Sequence, residues 1–320
     1  ADPFLGTNLT RNIKLATPIV ASSMDSVIGD DLADLLIDCG SKPIFHRFTT
    51  EKQIKEWINK YGENCIISWG VKDLDKLRQL LLESKQAPAG ICLDVAHGHS
   101  LKMRRAIEYI KEHFTGIDII AGAVCTYDGV RDLAQWGADG VRAGIGGGSA
   151  CSTRMVTGFG LPQFSVIQEC SRAADQMDIP LICDGGIRDS RDCVLALAAG
   201  ADSVMLGKLL AACKESAAEK AYKDGEIFHN MYGTMEPNMQ QVAKYRGQAS
   251  AAFQRSGRAV EGEEAWIPVT GSARTIIHDF ELALKSAMTY GGARTIRELQ
   301  TNAEFVEVTS NYMNESRTRL

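Results

Sequence analysis

Eight short apolar runs, each ending in small or polar residues, are separated by intervals long enough for a helix. This pattern constrains the chain more than any other feature. The runs are PIVASSM (18–24), KPIFHRF (42–48), CIISWGV (65–71), GICLDVA (90–96), DIIAGAV (118–124), GVRAGI (140–145), PLICDGG (180–186) and SVMLGK (203–208). Apolar runs this short read as strands buried on both faces. The stretches between them carry helical spacing. In DDLADLLIDCG, Leu32, Leu35 and Leu36 share a face and Gly40 follows as a stop. LDKLRQLLLES, LKMRRAIEYIKEHF, GVRDLAQWGA, FSVIQECSRAADQM and RDCVLALAAGA behave alike. The interval between the sixth and seventh runs is longer and holds an inserted loop. Eight sequential βα units predict an α/β fold, a closed (β/α)8 TIM barrel. An open doubly wound sheet is the alternative, because periodicity does not show closure. Residues 1–320 read as a single barrel domain with a flap at about 209–270, a lid excursion after strand eight. That segment has mixed polarity and no clean period, and the helix SARTIIHDFELALKSAMTYGGA follows it. The tail, 303–320, ends in polar residues and is expected to fray.

Composition narrows the class of ligand. The net charge is −5 and the pI about 5.8, so no basic excess marks a nucleic-acid binder. A phosphate remains compatible, since backbone amides at helix N-termini bind anions without net positive charge. No run is long enough to span a membrane, and ADPFLGTNLTRN lacks a basic-then-apolar leader. Nine cysteines, none in a CxxC pair, read as reduced thiols of a cytoplasmic protein. His97 and His99 lie two apart with no partner cluster at zinc-ligand spacing. Trp57, Trp69, Trp136 and Trp266 are expected to pack rather than to stack on a ligand.

Barrel enzymes carry their sites on the loops after strand C-termini. The richest such loop is GIGGGSACSTR, Gly144 to Arg154, with four glycines in its first five residues. Glycines let the backbone bend and turn N–H groups to an anion or carbonyls to a cation. Ser149 adds a hydroxyl suited to a phosphate oxygen. Cys151 sits at the end of this loop rather than inside an apolar run, which distinguishes it from the other cysteines as a candidate nucleophile. Two more glycine sites follow strands seven and eight, Asp184-Gly185-Gly186 and Leu206-Gly207-Lys208, where barrels often bind phosphate. Asp184, at a strand end, is placed to accept hydrogen bonds from ribose hydroxyls. Read without further context, these glycines could equally serve tight turns.

GIGGGSACSTR followed by TGFGLPQ resembles the signature loop of the IMP dehydrogenase and GMP reductase family, GIGPGSxCxTR. ASSMDSV, DVAHGHS, ICDGGIRDS, SVMLGK, AKYRGQAS and FVEVTSNYMNES match further blocks in the same order, over roughly residues 8–316. The chain departs from the pattern at Gly147, where the family usually has Pro, and at Lys208, where a small residue is common. The resemblance implies a (β/α)8 barrel acting on a purine nucleotide with a nicotinamide cofactor, as a cytoplasmic homotetramer. It implies catalysis by Cys151, with Thr153 and Glu261 as a proton relay. It places phosphate on Ser149, Gly186, Gly207 and Lys208 with Tyr245 closing over it, ribose on Asp184, and the purine near Ser22, Met24, Gly247 and Gln248. The nicotinamide would lie near Asp94, Gly144 and Gly146. A potassium ion would bind carbonyls of Gly144, Gly146 and Cys151. No GxGxxG follows a strand, so a separate Rossmann domain is not expected.

The family runs two reactions through a cysteine bound to purine C2. The dehydrogenase hydrolyses its covalent intermediate with a flap Arg-Tyr pair, whereas the reductase expels ammonia. Here AAFQRSGRAV follows Ser250, carrying Arg255 and Arg258 but no Tyr. No regulatory insertion separates HRFTTEKQIKEWINKYG from CIISWGVKD, and HRF (46–48) with VEGEEAWIPVTG resembles bacterial GMP reductases. YRGQAS and the tail lean the other way. The resemblance favours an NADPH-dependent GMP reductase. The alternatives are an NAD-dependent IMP dehydrogenase and a diverged or non-catalytic purine-nucleotide binder.

Overall fold

All eight apolar runs form parallel strands of one sheet. They are β1 (Ile19–Ala21), β2 (Ile44–Phe45), β3 (Ile66–Trp69), β4 (Gly90–Asp94), β5 (Asp118–Val124), β6 (Gly140–Ala143), β7 (Leu181–Asp184) and β8 (Ser203–Leu206). The computed structural model describes residues 2–224, 228–229, 235–236, 239–250 and 259–316. Hydrogen-bonded neighbours run from β2 through β3, β4, β5, β6, β7 and β8 to β1. The two end strands are therefore consecutive in the chain, and the sheet curls into a nearly closed (β/α)8 barrel.

Helices occupy the intervals: α1 (Asp30–Asp38), α2 (Glu51–Tyr61), α3 (Leu74–Glu83), α4 (Leu101–His113), α5 (Tyr127–Gln135), α6 (Gln163–Met177), α7 (Ser190–Ala198) and α8 (Ala273–Tyr290). Several start where a short polar side chain takes an orphan amide. Thr50, Ser100, Thr126 and Asp189 accept from the amides of Gln53, Met103, Gly129 and Asp192. Their apolar faces close on the outside of the sheet, as with Ile54, Trp57, Ile58 and Tyr61 of α2.

The barrel interior changes character along its axis. Val20, Ile44, Ile66, Cys92, Ile120, Ile182 and Met205 point inward and pack together. Leu9, Ile13 and Leu15 join them from an N-terminal hairpin, in which Thr7–Asn8 pairs with Lys14–Leu15. The Arg11 side chain anchors the hairpin by donating to the carbonyls of Ala138 (2.9 Å), Met177 (2.8 Å) and Asp178 (3.0 Å). Two residues further along the strands, the inward positions after Cys92 and Ile182 are Asp94 and Asp184. On β6 the inward residue is Arg142, which is 4% exposed.

The segment after β8 departs from its expected irregularity. A short helix, Lys208–Ala211, leads into an antiparallel sheet of β9 (Lys220–Asp224), β10 (Met239–Arg246) and β11 (Glu264–Pro268), with β10 in the middle. Its polar and apolar residues interleave over short spans, which conceals the strand period in the sequence. The tip AAFQRSGR, with Arg255 and Arg258, lies outside the described residues. Two residues of the described tail make ring contacts with the barrel helices. Phe305 sets its ring edge-on against Phe164 at 4.9 Å, and the Arg191 guanidinium covers the Tyr312 ring at 5.6 Å. Among the described residues, no helix is long and apolar enough to cross a membrane.

Candidate active site

The floor of the barrel mouth is an ion cluster inside the strands. Arg142 Nη1 donates to Asp94 Oδ1 at 2.7 Å, while Nη2 and Nε donate to Asp184 Oδ2 at 2.6 and 3.1 Å. Burial alone would push the Arg142 guanidinium down, but the facing Asp184 and Asp94 carboxylates hold it well above its ordinary value. Asp94 is saturated. Its Oδ2 accepts from Gln248 Nε2 at 3.3 Å and stands 3.5 Å from Arg47 Nε. Asp184 is more open, its side chain 19% exposed against 4% for Asp94. An arginine in the middle of GVRAGI was the available sequence signal for this cluster, and motif reading passed over it.

Above this floor runs the glycine-rich loop. Gly144 has φ +139, and a β-carbon there would meet the Asp184 carbonyl at 2.2 Å, so only glycine fits. Gln163 Nε2 braces the loop's start by donating to Ala143 O at 2.8 Å. The loop then turns, with Cys151 N donating to Gly148 O at 3.0 Å. Cys151 is half-buried. Its Sγ donates to Thr153 Oγ1 at 3.2 Å, and Thr153 Oγ1 donates to Glu261 Oε2 at 2.8 Å. Residues 108 positions apart thus form one continuous line of proton donors and acceptors.

Backbone pairing holds that line together. Ser152 N donates to Glu261 O at 2.8 Å and Glu263 N to Ala150 O at 2.9 Å, bridging Cys151 to Gly262. Ser250 also bridges to Gly262, so both ends of the flap tip are pinned beside the nucleophile loop. Gly262 and Gly247 allow this approach: a β-carbon at Gly262 would meet Ser250 N at 2.6 Å, and one at Gly247 would meet Ala150 O at 2.5 Å. Gln248 Nε2 donates to Ser23 O at 2.8 Å, fastening the same loop to the end of β1. Arg246 forms an ion pair with Asp25, Nε to Oδ2 at 2.8 Å.

Ser22, Met24, Gly207 and Tyr245 come together at the ends of β1 and β8. A β-carbon at Gly207 would lie 3.0 Å from the Tyr245 hydroxyl, 3.4 Å from Ser22 Oγ and 3.8 Å from Met24 Sδ. Burial pushes the Tyr245 phenol up, and a hydrogen bond with Ser149 pulls against it. Ser149 and Lys208 are exposed. The Gly186 amide donates to Gly147 O at 2.9 Å and so ties the glycine loop to the end of β7. The Gly247 amide is likewise taken, by Glu263 O at 3.0 Å.

Beside Gly144 to Gly146 opens a cleft of about 320 Å³ lined by His97, His99, Cys125, Thr126, Ile145 and Phe159, among others. Its apolar floor with polar edges suits a planar ring. His99 Nε2 is held by Asp132 Oδ2 at 2.8 Å. Within the loop, backbone hydrogen bonds fall on Gly147 O and Gly148 O, while among the described residues no such bond is recorded on the carbonyls of Gly144, Gly146 or Cys151. Among the described residues no cluster of His, Cys, Asp and Glu could hold a metal ion. Seven other cysteines are buried; Cys39 shares the half-buried state of Cys151. Burial pushes the thiols of Cys170, Cys183 and Cys213 up to about 12, which leaves them unreactive.

Residues 2–319 match the model of the IMP dehydrogenase / GMP reductase domain. The inosine-5'-monophosphate dehydrogenase of Aquifex aeolicus is 37% identical, over 84% of this chain and 54% of that protein. That of Borreliella burgdorferi is 30% identical, over 98% of this chain and 90% of its own length. The GMP reductase of Lactobacillus acidophilus is 34% identical, over 88% of this chain and 82% of its own. The chain thus spans about half the length of some of the curated relatives it matches.

Proposed function

Because the chain belongs to the IMP dehydrogenase / GMP reductase family, we propose that it is a GMP reductase, converting GMP to IMP and ammonia at the expense of NADPH. The observation that carries the covalent mechanism is the line from Cys151 through Thr153 to Glu261, at 3.2 and 2.8 Å. The thiol proton passes to Thr153 as the Thr153 proton passes to Glu261, which leaves a thiolate and a protonated carboxyl. The thiolate bonds to C2 of the purine. The same line then runs backwards and delivers the proton to the departing amine, so the C2–N bond breaks with a neutral leaving group. A reduced nicotinamide held in the cleft beside Gly144 to Gly146 would supply the hydride that takes the amine's place at C2. Cleavage of the C2–S bond then returns Cys151 as thiolate and releases IMP.

The remaining residues hold the nucleotide. Ser149, Gly207 and Tyr245 surround the phosphate, with Lys208 at its exposed edge. Asp184 takes the ribose, and Ser22, Met24 and Gln248 bound the purine. The cleft beside Gly144 to Gly146 receives the nicotinamide, while Asp94 acts from beneath through Arg142 and Gln248. The carbonyls of Gly144, Gly146 and Cys151 would hold potassium, which would steady the loop under the nucleophile. The reading extends to a cytoplasmic homotetramer.

The choice of reductase over dehydrogenase rests on the return loop, where AAFQRSGRAV carries no tyrosine to pair with an arginine for hydrolysis. IMP dehydrogenase is the second reading, favoured by the names of most relatives. In that case Glu261 would draw a proton from water through Thr153. Paired assays separate the two. A reductase consumes NADPH when GMP is supplied and leaves IMP with NAD⁺ untouched. Reduction of NAD⁺ by IMP, with GMP and NADPH inert, would overturn the assignment.

A further inference from the structure

We propose that Arg142 is a positioning residue for nucleotide recognition, setting the Asp184 carboxylate so that it selects a ribose carrying its 2′-hydroxyl. The proposal rests on the reading that Asp184 faces the ribose.

The geometry has three parts. First, Arg142 is a charge in the barrel interior, on a strand whose neighbours are Gly140, Val141 and Ala143, all buried. A guanidinium buried this deeply is costly unless each side is paired. Second, the pairing is asymmetric. Nε and Nη2 converge on Asp184 Oδ2, while Nη1 is tethered to Asp94 Oδ1 and lies 3.5 Å from Cys92 Sγ. Two N–H groups on one oxygen fix both the place and the plane of the Asp184 carboxylate, and they leave Oδ1 to the mouth. Third, the anchor behind Arg142 is itself held, since the other oxygen of Asp94 accepts from Gln248 at 3.3 Å and faces Arg47 at 3.5 Å. Lysine would keep the charge, but a single ammonium cannot span the two carboxylates in this fork geometry. Gly122 makes room for Arg142: a β-carbon there would meet the Arg142 β-carbon at 2.7 Å.

The test compares binding of GMP and 2′-deoxy-GMP by calorimetry in the unaltered protein and in Arg142→Lys. The unaltered protein should prefer the ribonucleotide by about tenfold or more, the scale of one hydrogen bond to a charged group. Arg142→Lys should reduce that preference to about twofold or less, mainly by weakening GMP. A merely structural role would weaken both ligands equally, and equal weakening overturns the proposal. Asp94→Asn removes the rear anchor without touching Asp184, and serves if the lysine variant does not fold. It should lower the preference in the same direction by a smaller factor, and an unchanged preference overturns the proposal. Absence of purine-nucleotide binding in the unaltered protein would instead strike the functional reading itself. Binding without any preference for the ribonucleotide would refute the Arg142–Asp184 assignment alone.

Discussion

Two layers of the barrel interior, one strand repeat apart, do opposite things with the same scaffold. The lower layer, Val20, Ile44, Ile66, Cys92, Ile120, Ile182 and Met205 with the hairpin's Leu9, Ile13 and Leu15, is wholly apolar. The upper layer is ionic, with Arg142 between Asp94 and Asp184. Step two residues along β4 or β7 and a buried hydrophobe becomes a carboxylate, buried at Asp94 and half-buried at Asp184. On the proposed reading stability is concentrated below and recognition above, so substitutions in the two layers should separate cleanly in their effects.

The sharpest contrast comes from the nucleophile. Cys151→Ala should lower turnover by about a thousandfold or more while leaving nucleotide binding and the unfolding midpoint near their original values. Retained turnover would remove the covalent mechanism. Ile120→Ala should do the reverse. Truncating a fully buried barrel residue should cost about 3–4 kcal/mol in chemical denaturation, with turnover per folded molecule little changed. A kinetic effect comparable to the stability loss would dissolve the division between layers. Thr153→Val breaks the proton line without opening a cavity, and should slow turnover about a hundredfold with less than about 1 kcal/mol lost in stability. A normal rate would show that Glu261 does not act through Thr153.

The smallest effect concerns Asp202, which lies beside the start of β8 and accepts from Leu181 N at 2.8 Å. Burial pushes its carboxyl up to about 6. The folded chain therefore binds this proton more tightly than the unfolded chain. The group's contribution to stability is full at low pH and is lost as pH rises through the window ending near 6. Asp202→Asn should flatten that part of the profile and stabilise the protein above it by about 1–2 kcal/mol. Parallel pH profiles for the two proteins would show that Asp202 is not the group responsible.

The barrel was legible because its strands are covered on both faces and so read as unbroken apolar runs. The same rule hid the hairpin, whose two-residue strands are too short to show a period. It also hid the flap sheet, where one solvated face breaks the apolar signal in MQQVAKYR and EAWIP. In the site, the glycine loop and the isolated Cys151 stood out by composition. Thr153 and Glu261 did not, because a hydroxyl and a carboxylate 108 residues apart carry no mark of adjacency; family resemblance linked them, and the 2.8 Å bond is what folding adds. Gly186 shows the converse case. A glycine after strand seven suggests an open amide, but in three dimensions that amide is already spoken for by Gly147. Arg142 was visible but unread, since a single arginine in a strand looks like an edge residue until its partners are known.

The N-terminal hairpin has a consequence for traffic. Leu9, Ile13 and Leu15 plug the far end of the described barrel with apolar side chains, so on the proposed reading ligands come and go at the mouth. Whatever arrives must depart by the route it came, and nothing can be pushed out from behind.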